Sequence, residues 1–264
     1  MTRVRLIGLP TDCNSSFRRG AATAPARIRA QLFSDHSNLA SERGGELGGA
    51  IAFTDAGDLA LGEVAGDAAV ISAAVASALA AGDAPLLLGG DHSVTFPIMR
   101  AIAARYGPVD ILHFDAHPDL YDDFDGNPAS HASPFARIME AGLARRLVQV
   151  GIRTLNDHCR SQAARFGVEV VPMQDFDANA VPRLAGPVYI SIDLDGLDPA
   201  FAPGVSHHEP GGLSVRQMLD VLARVDAPVV GADIVEYNPS RDINDMTAVV
   251  AAKLVKELAA LLAR

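Results

Sequence analysis

The run Val109-Asp110-Ile111-Leu112-His113-Phe114-Asp115-Ala116-His117-Pro118-Asp119 decides how this chain is read. From Val109 to Phe114 it is mostly apolar, which suits a strand covered on both faces better than one with a wet side. It then passes at once into Asp115, His117 and Asp119, spaced i, i+2 and i+4. On extended backbone such residues point to one side, so three ligand-type side chains converge on one small volume.

Similar apolar runs recur along the chain at 4–9, 51–54, 85–88, 147–151, 168–171, 187–193 and 229–234. Helix-compatible segments separate them: 24–33, 64–81, 95–106, 133–141, 156–166, 214–225 and 247–262. Ser214 and Asn156 stand where helix N-caps are expected. This alternation predicts an α/β domain of three layers, a parallel sheet of about eight strands with helices on both faces. No composition shift, repeat or low-complexity linker divides the chain, so residues 1–264 are expected to form one domain. In such sheets ligands sit beyond the carboxyl ends of the strands.

Three more strand ends carry candidate groups. The run 85–88 leads into Gly89-Gly90-Asp91-His92-Ser93, and the run 187–192 into Asp193-Leu194-Asp195-Gly196-Leu197-Asp198-Pro199. The run 229–234 leads into Val235-Glu236-Tyr237-Asn238-Pro239. Taken singly these stretches have ordinary explanations: the glycine pair as a tight turn, Asp91 or Ser93 as a helix cap, Asp193 and Asp195 as loop residues. Together they bring four Asp and two His to neighbouring positions. Carboxylates crowded in this way repel one another unless protonated or matched by cations, and divalent ions remove the conflict. Hard oxygen donors without thiolate disfavour structural zinc and favour Mn²⁺ or a similar ion, with Zn²⁺, Co²⁺ and Ni²⁺ left open. Six ligands exceed what one open-sited ion needs, but they suffice for two ions roughly 3.5–4 Å apart with shared carboxylates.

The formal net charge of −10 fits this reading. It argues against nucleic acid or an anionic membrane as the main partner, since both demand a basic face. With only Cys13 and Cys159, the chain has no disulfide framework or zinc-knuckle spacing. Residues 4–9 enter a strand without a signal-peptide core, and the alanine-rich segments are too short or too charged to span a bilayer. The expectation is a soluble, cytoplasmic protein.

These motifs resemble the signatures of the arginase/agmatinase (ureohydrolase) family, and the resemblance covers nearly the whole chain. The stretches 189–213 and 130–140 are similar to plant-type arginases and the bacterial proteins like them. The resemblance implies a hydrolase with two Mn²⁺ per subunit that releases urea and an amine from a small cationic guanidino substrate, arginine or agmatine. Guanidinobutyrate, guanidinopropionate and formimidoylglutamate are the alternatives. It implies one ion on His92, Asp115, Asp119 and Asp193, and a second on Asp115, His117, Asp193 and Asp195, with Asp115 and Asp193 bridging. It also implies His131 as the proton shuttle to the leaving amine, Glu236 as the partner of the guanidinium, and Asp195 as a group orienting the nucleophile. A homo-oligomer, trimer or hexamer, belongs to the same expectation. His113 reads instead as a core histidine, and His207 and His208 as loop residues near the substrate entrance. Arg137, Arg153 and Arg241 are candidates to meet a substrate carboxylate.

Overall fold

Eight strands, all parallel, form one sheet in a computed structural model that describes residues 2–264. They are β1 (Arg3–Gly8), β2 (Phe53–Asp58), β3 (Asp83–Leu88), β4 (Val109–Phe114), β5 (Ala144–Ile152), β6 (Glu169–Pro172), β7 (Val188–Asp193) and β8 (Val229–Val235). Their order across the sheet is β2-β1-β3-β8-β7-β4-β5-β6. Seven helices accompany them: α1 (Ala24–Leu32), α2 (Asp67–Ala80), α3 (Thr95–Tyr106), α4 (Pro134–Glu140), α5 (Asp157–Phe166), α6 (Val215–Leu222) and α7 (Met246–Leu262). The expected α/β layering is what is found.

Two apolar clusters explain the layering. One joins Ile28 of α1, Met218 of α6 and Leu258 of α7 to Leu6, Leu86, Leu112, Ile190 and Ile234 of the strands. The other joins Ile71 of α2, Ile98 of α3, Phe135 of α4 and Ala163 of α5 to Ile7, Leu87, Ile111 and Tyr189. Neighbouring strand residues therefore serve opposite faces, and the central strands must be apolar throughout. β3, β4, β7 and β8 are buried at every position.

Local signals set several boundaries. Ser214 and Gln217 form a reciprocal capping box at the start of α6, with Gln217 N donating to Ser214 Oγ at 3.1 Å and Ser214 N to Gln217 Oε1 at 2.8 Å. Asn156 Oδ1 accepts the Cys159 N–H at 2.9 Å, and Gly167 closes α5 in the left-handed conformation. The edge strand β2 differs from expectation. It lies at 53–58 rather than 51–54, because its pairing rests on backbone bonds to β1 rather than on burial. Arg29 holds it from α1 through Asp55, at 2.9 Å, and Asp58.

The order β3-β8-β7-β4 places at the middle of the sheet the four strands that end in candidate groups. β3 and β4 are consecutive in the chain yet lie on opposite sides of β8 and β7, so a crevice opens beyond their carboxyl ends. Close backbone approach completes it. A Cβ on Gly90 would lie 1.6 Å from the carbonyl oxygen of Thr11, and the Gly90 carbonyl accepts the Glu236 N–H at 2.8 Å. Gly90→Ala is expected to cost at least about 2 kcal/mol of stability. Chemical denaturation reads this; an unchanged midpoint and slope would show that the turn can relax around a methyl group.

Candidate metal centre and active site

The four strand ends deliver their side chains to one buried volume. Asp115 follows β4, Asp193 closes β7, Asp195 sits in the short 3₁₀ turn after it, and His92 begins the 3₁₀ turn after β3. Asp119 turns back toward Asp115 because its backbone is left-handed, with φ of 49°. Glu236, after β8, has φ of 64°. A non-glycine residue held in that region marks a constrained position, and here two such residues face the same crevice.

The atoms gather around two points. His92 Nδ1 lies 3.0 Å from an oxygen of Asp119, 3.2 Å from one of Asp193 and 3.4 Å from Asp115 Oδ2. His117 Nδ1 lies 3.1 Å from an oxygen of Asp195 and 3.4 Å from Asp115 Oδ1. Asp115 thus turns one oxygen to each group. His92 Nδ1 is fully buried and makes no well-directed hydrogen bond, although three carboxylate oxygens surround it. An imidazole nitrogen with three carboxylate oxygens within 3.4 Å is a donor set that suits a shared cation. Burial and the charges of Asp195 and Asp115 push Asp193 well above the usual carboxylate range. Burial, with Asp115 beside it, pushes Asp195 up to about 6 against the pull of His117. No Lys or Arg lines the cavity to offset these charges.

Supporting groups fix the imidazoles. His92 Nε2 meets Ser191 Oγ at 3.0 Å, and Ser191 donates to Asp233 at 2.6 Å. Tyr189 and Thr95 also donate to Asp233, at 2.8 and 2.7 Å. With Nε2 tied to this network, Nδ1 is left to face the carboxylates. His113 is buried with both nitrogens engaged, as expected for a core histidine, but it also touches the site. Gln149 Nε2 donates to the carbonyl of Pro118 at 2.7 Å, which fixes its amide orientation. The same Nε2 lies 3.0 Å from His113 Nδ1, so that nitrogen accepts, and His113 Nε2–H donates to Asp115 Oδ2 at 2.8 Å. Burial pulls the His113 pKa down, in keeping with a neutral ring.

Beside these groups lies a cavity of about 290 Å³ bordered by Asp119, Asp193, Asp195, His117, His131 and Glu236. His131 Nδ1 is 2.8 Å from Glu236 Oε1, and its Nε2 is 2.8 Å from Ser16 Oγ. Glu236 Oε1 also accepts the His92 N–H at 2.8 Å. Burial lowers the His131 pKa, but the Glu236 charge and hydrogen bond outweigh it, aided by Asp119 and Asp91, and raise it to about 9. His207 enters the cavity wall, its ring centroid 5.2 Å from that of His131 and 5.9 Å from that of His117, and burial lowers its pKa. His208 points away and bonds the Pro203 carbonyl at 2.7 Å.

Several wall residues were not singled out as site groups from sequence. Ser16, Asn156, Cys159 and Thr154 come from loops and helix starts remote in the chain, and only tertiary approach collects them. Asn156 Nδ2 donates to the Tyr121 hydroxyl at 2.6 Å, and His158 stacks on that ring at 5.3 Å. Of the three candidate arginines, Arg137 pairs with Glu140 at 2.7 Å within α4. Arg153 is consumed by the carbonyls of Asp195, Glu209 and Gly151 at 2.7, 2.6 and 3.0 Å, fastening the 204–212 loop to the sheet. Arg241 lies outside the cavity.

A parallel α/β sheet with two His/Asp groups at its central strand ends, beside a carboxylate-lined cavity, has the make-up of a metal-binding enzyme site. Comparison makes the assignment specific: residues 2–260 match the model of the arginase family, and the chain belongs to it. It is 52% identical to arginase 1, mitochondrial, from Arabidopsis thaliana, over 97% of this chain and 80% of that protein. It is 34% identical to an agmatinase of Bacillus cereus, over 97% of this chain and 91% of the relative. The solved arginase from Medicago truncatula superposes with a TM-score of 0.94 at 47% identity, covering 100% of this chain and 88% of that one. The cytoplasmic expectation is corrected by the same comparison. Plant relatives about 50% identical to this chain over the matched stretch carry "mitochondrial" in their names, so low cysteine content is no signature of the cytoplasm.

The His131–Glu236 pair can be tested without metal. A folded-state pKa raised from 6.5 to about 9 contributes stability that is complete below about pH 6.5 and lost as pH rises through about 9. In Glu236→Gln the largest raising influence is gone, and His131 is expected to titrate closer to the ordinary imidazole range. Histidine NMR of the metal-free protein follows this directly. A variant ring still titrating near 9 would exclude Glu236 as the cause.

Proposed function

We propose that the chain is an arginase that adds water to arginine, giving urea and ornithine at a centre of two Mn²⁺ ions. The observation that carries this reading is the pair of His/Asp groups joined through Asp115, with His92 Nδ1 buried among three carboxylate oxygens. His92, Asp115, Asp119 and Asp193 would hold one ion, and Asp115, His117, Asp193 and Asp195 the other. When bound, such a pair supplies Lewis-acid charge and lowers the pKa of an associated water.

The chain's own residues do the rest. The Glu236 carboxylate, on the cavity wall, receives the planar guanidinium in a charge-assisted contact. Its bond to the His92 N–H keeps it in place, and Asp195 orients the attacking water. Water oxygen bonds to the guanidino carbon, the bond from that carbon to Nε breaks, and the two protons the water gives up end on the departing nitrogen, one of them by way of His131, so that urea and the δ-ammonium of ornithine are left. His131, protonated beside Glu236, delivers the proton the amine needs, and Ser16 holds the other face of its ring. A trimer or hexamer belongs to the same reading, and exposed Ile243, Met246 and Val249 offer apolar surface for it.

Agmatine is a second reading, favoured by Glu209, which puts a carboxylate on the cavity wall where a distal amine could sit. Urea release from Mn²⁺-loaded protein, measured on arginine, agmatine and guanidinobutyrate, separates the substrates. Formamide from formimidoylglutamate marks the remaining alternative. Arginine is expected to give the highest kcat/KM, and no urea from any guanidino compound would remove the reading. His131→Ala should lower kcat roughly 10²–10⁴-fold with metal content unchanged; turnover near wild type would take the proton-transfer role from His131.

A further inference from the structure

A ring that gives up a proton in every turnover must regain one, and His131 lies deep. It is 8% exposed, and Glu236 beside it 4%. Its Nδ1 is held by Glu236 at 2.8 Å, the contact that keeps the ring charged. Nε2 is the nitrogen left to exchange, and its partner is Ser16 Oγ at 2.8 Å. Ser16, unlike His131, is exposed, and it also lines the catalytic cavity. One hydroxyl therefore stands between the buried ring and solvent.

The segment that carries Ser16 is fastened in place. Asn14 N donates to Asp91 Oδ2 at 2.9 Å, and Asn14 Nδ2 donates to Ser93 Oγ at 3.1 Å. Asn14 Oδ1 accepts from Asn127 Nδ2 at 3.2 Å, and the Asn14 carbonyl accepts the His131 N–H at 3.2 Å. The loop is thus bonded to the backbone of the residue whose ring Ser16 meets two positions further on. His207 is the other group close to that ring, with 5.2 Å between centroids, but among the described residues no hydrogen bond joins the two imidazoles. Phe17 lies 5.5 Å from the His207 ring on its other side.

A hydroxyl suits this position because it both accepts and donates. Beside the charged ring, Ser16 Oγ accepts the Nε2–H. Beside the neutral ring it turns its own hydrogen toward Nε2. The contact survives both states of the ring, which a carboxylate or an ammonium in the same place would not allow.

We propose that Ser16 is the proton port of His131. After the ring has given its Nε2 hydrogen to the departing amine, the hydroxyl hydrogen of Ser16 passes to Nε2. At the same time Oγ takes a proton from a water or a buffer acid on its solvent side. One O–H bond breaks and one forms, so Ser16 ends unchanged and His131 is charged again. The proton returned in this way replaces one that the attacking water releases to solvent, and the cycle balances. The inference rests on the ureohydrolase reading above and adds a residue that contacts neither the proposed metal ligands nor the guanidinium.

In Mn²⁺-loaded Ser16→Ala, kcat on the guanidino compound that the wild type hydrolyses best should fall roughly tenfold in weakly buffered solution, with KM and metal content unchanged. Rising concentrations of a small imidazole buffer should recover most of that loss while leaving the wild type unaffected. Ser16→Thr, which keeps a hydroxyl, should lose much less than the alanine variant. A kcat for Ser16→Ala within about twofold of wild type, or a loss that no buffer relieves, would overturn the proposal. No urea from the wild type would remove the ureohydrolase reading by itself, and a second measurement then still decides the port. In the metal-free protein, NMR of the imidazole N–H groups follows exchange of the His131 Nε2 hydrogen with solvent. That exchange should be slower in Ser16→Ala than in wild type; equal or faster exchange would refute the port.

Discussion

Crowding of negative charge is the constraint on which this structure turns. Asp115, Asp119, Asp193 and Asp195 are buried together, with Glu236 and Asp91 nearby, and no Lys or Arg lines the cavity that Asp119, Asp193, Asp195 and Glu236 border. Burial and mutual repulsion push Asp193, Asp195 and Asp91 upward, the last two to about 6. A protein that gathers carboxylates this way forfeits stability unless cations join them, so the arrangement is explained by what it binds. Burial opposes the charged forms of His92 and His117, but the carboxylates around their Nδ1 atoms outweigh it and raise both pKa values, so these rings offer a lone pair to a cation only by giving up a proton.

The sheet makes the crowding geometrically possible. A parallel order that places β3, β8, β7 and β4 side by side brings their four carboxyl ends to one edge of the sheet. Apolar side chains on both faces keep these strands rigid and dry, so their ends are fixed within the precision a metal centre needs. Asp119 and Glu236 adopt left-handed backbones there, and Gly90 allows the chain to press against Thr11.

Much of this was legible in the sequence because it depends on spacing. Asp115, His117 and Asp119 were legible as a ligand cluster, but a turn rather than extended backbone brings them together, since β4 ends at Phe114 and Asp119 is left-handed; the caps at Ser214 and Asn156 follow directly from their spacing. β2 was poorly legible because an edge strand rich in Asp and Gly lacks the apolar signal of its neighbours. Ser16, Gln149 and Asp233 were invisible as site groups, since their roles arise only when distant segments meet. His113 was half-read: its burial follows from its place inside a strand, but its bond to Asp115 follows from which way that strand faces. Compartment was not legible, because neither a metal centre nor a buried sheet differs with the organelle that houses it.

The most direct measurement is X-ray diffraction from crystals of the Mn²⁺-loaded protein at the manganese absorption edge. Two anomalous peaks roughly 3.5–4 Å apart are expected, one beside His92 and one beside His117, with Asp115 between them. A single peak, or peaks away from these residues, would contradict a binuclear centre built on the four strand ends.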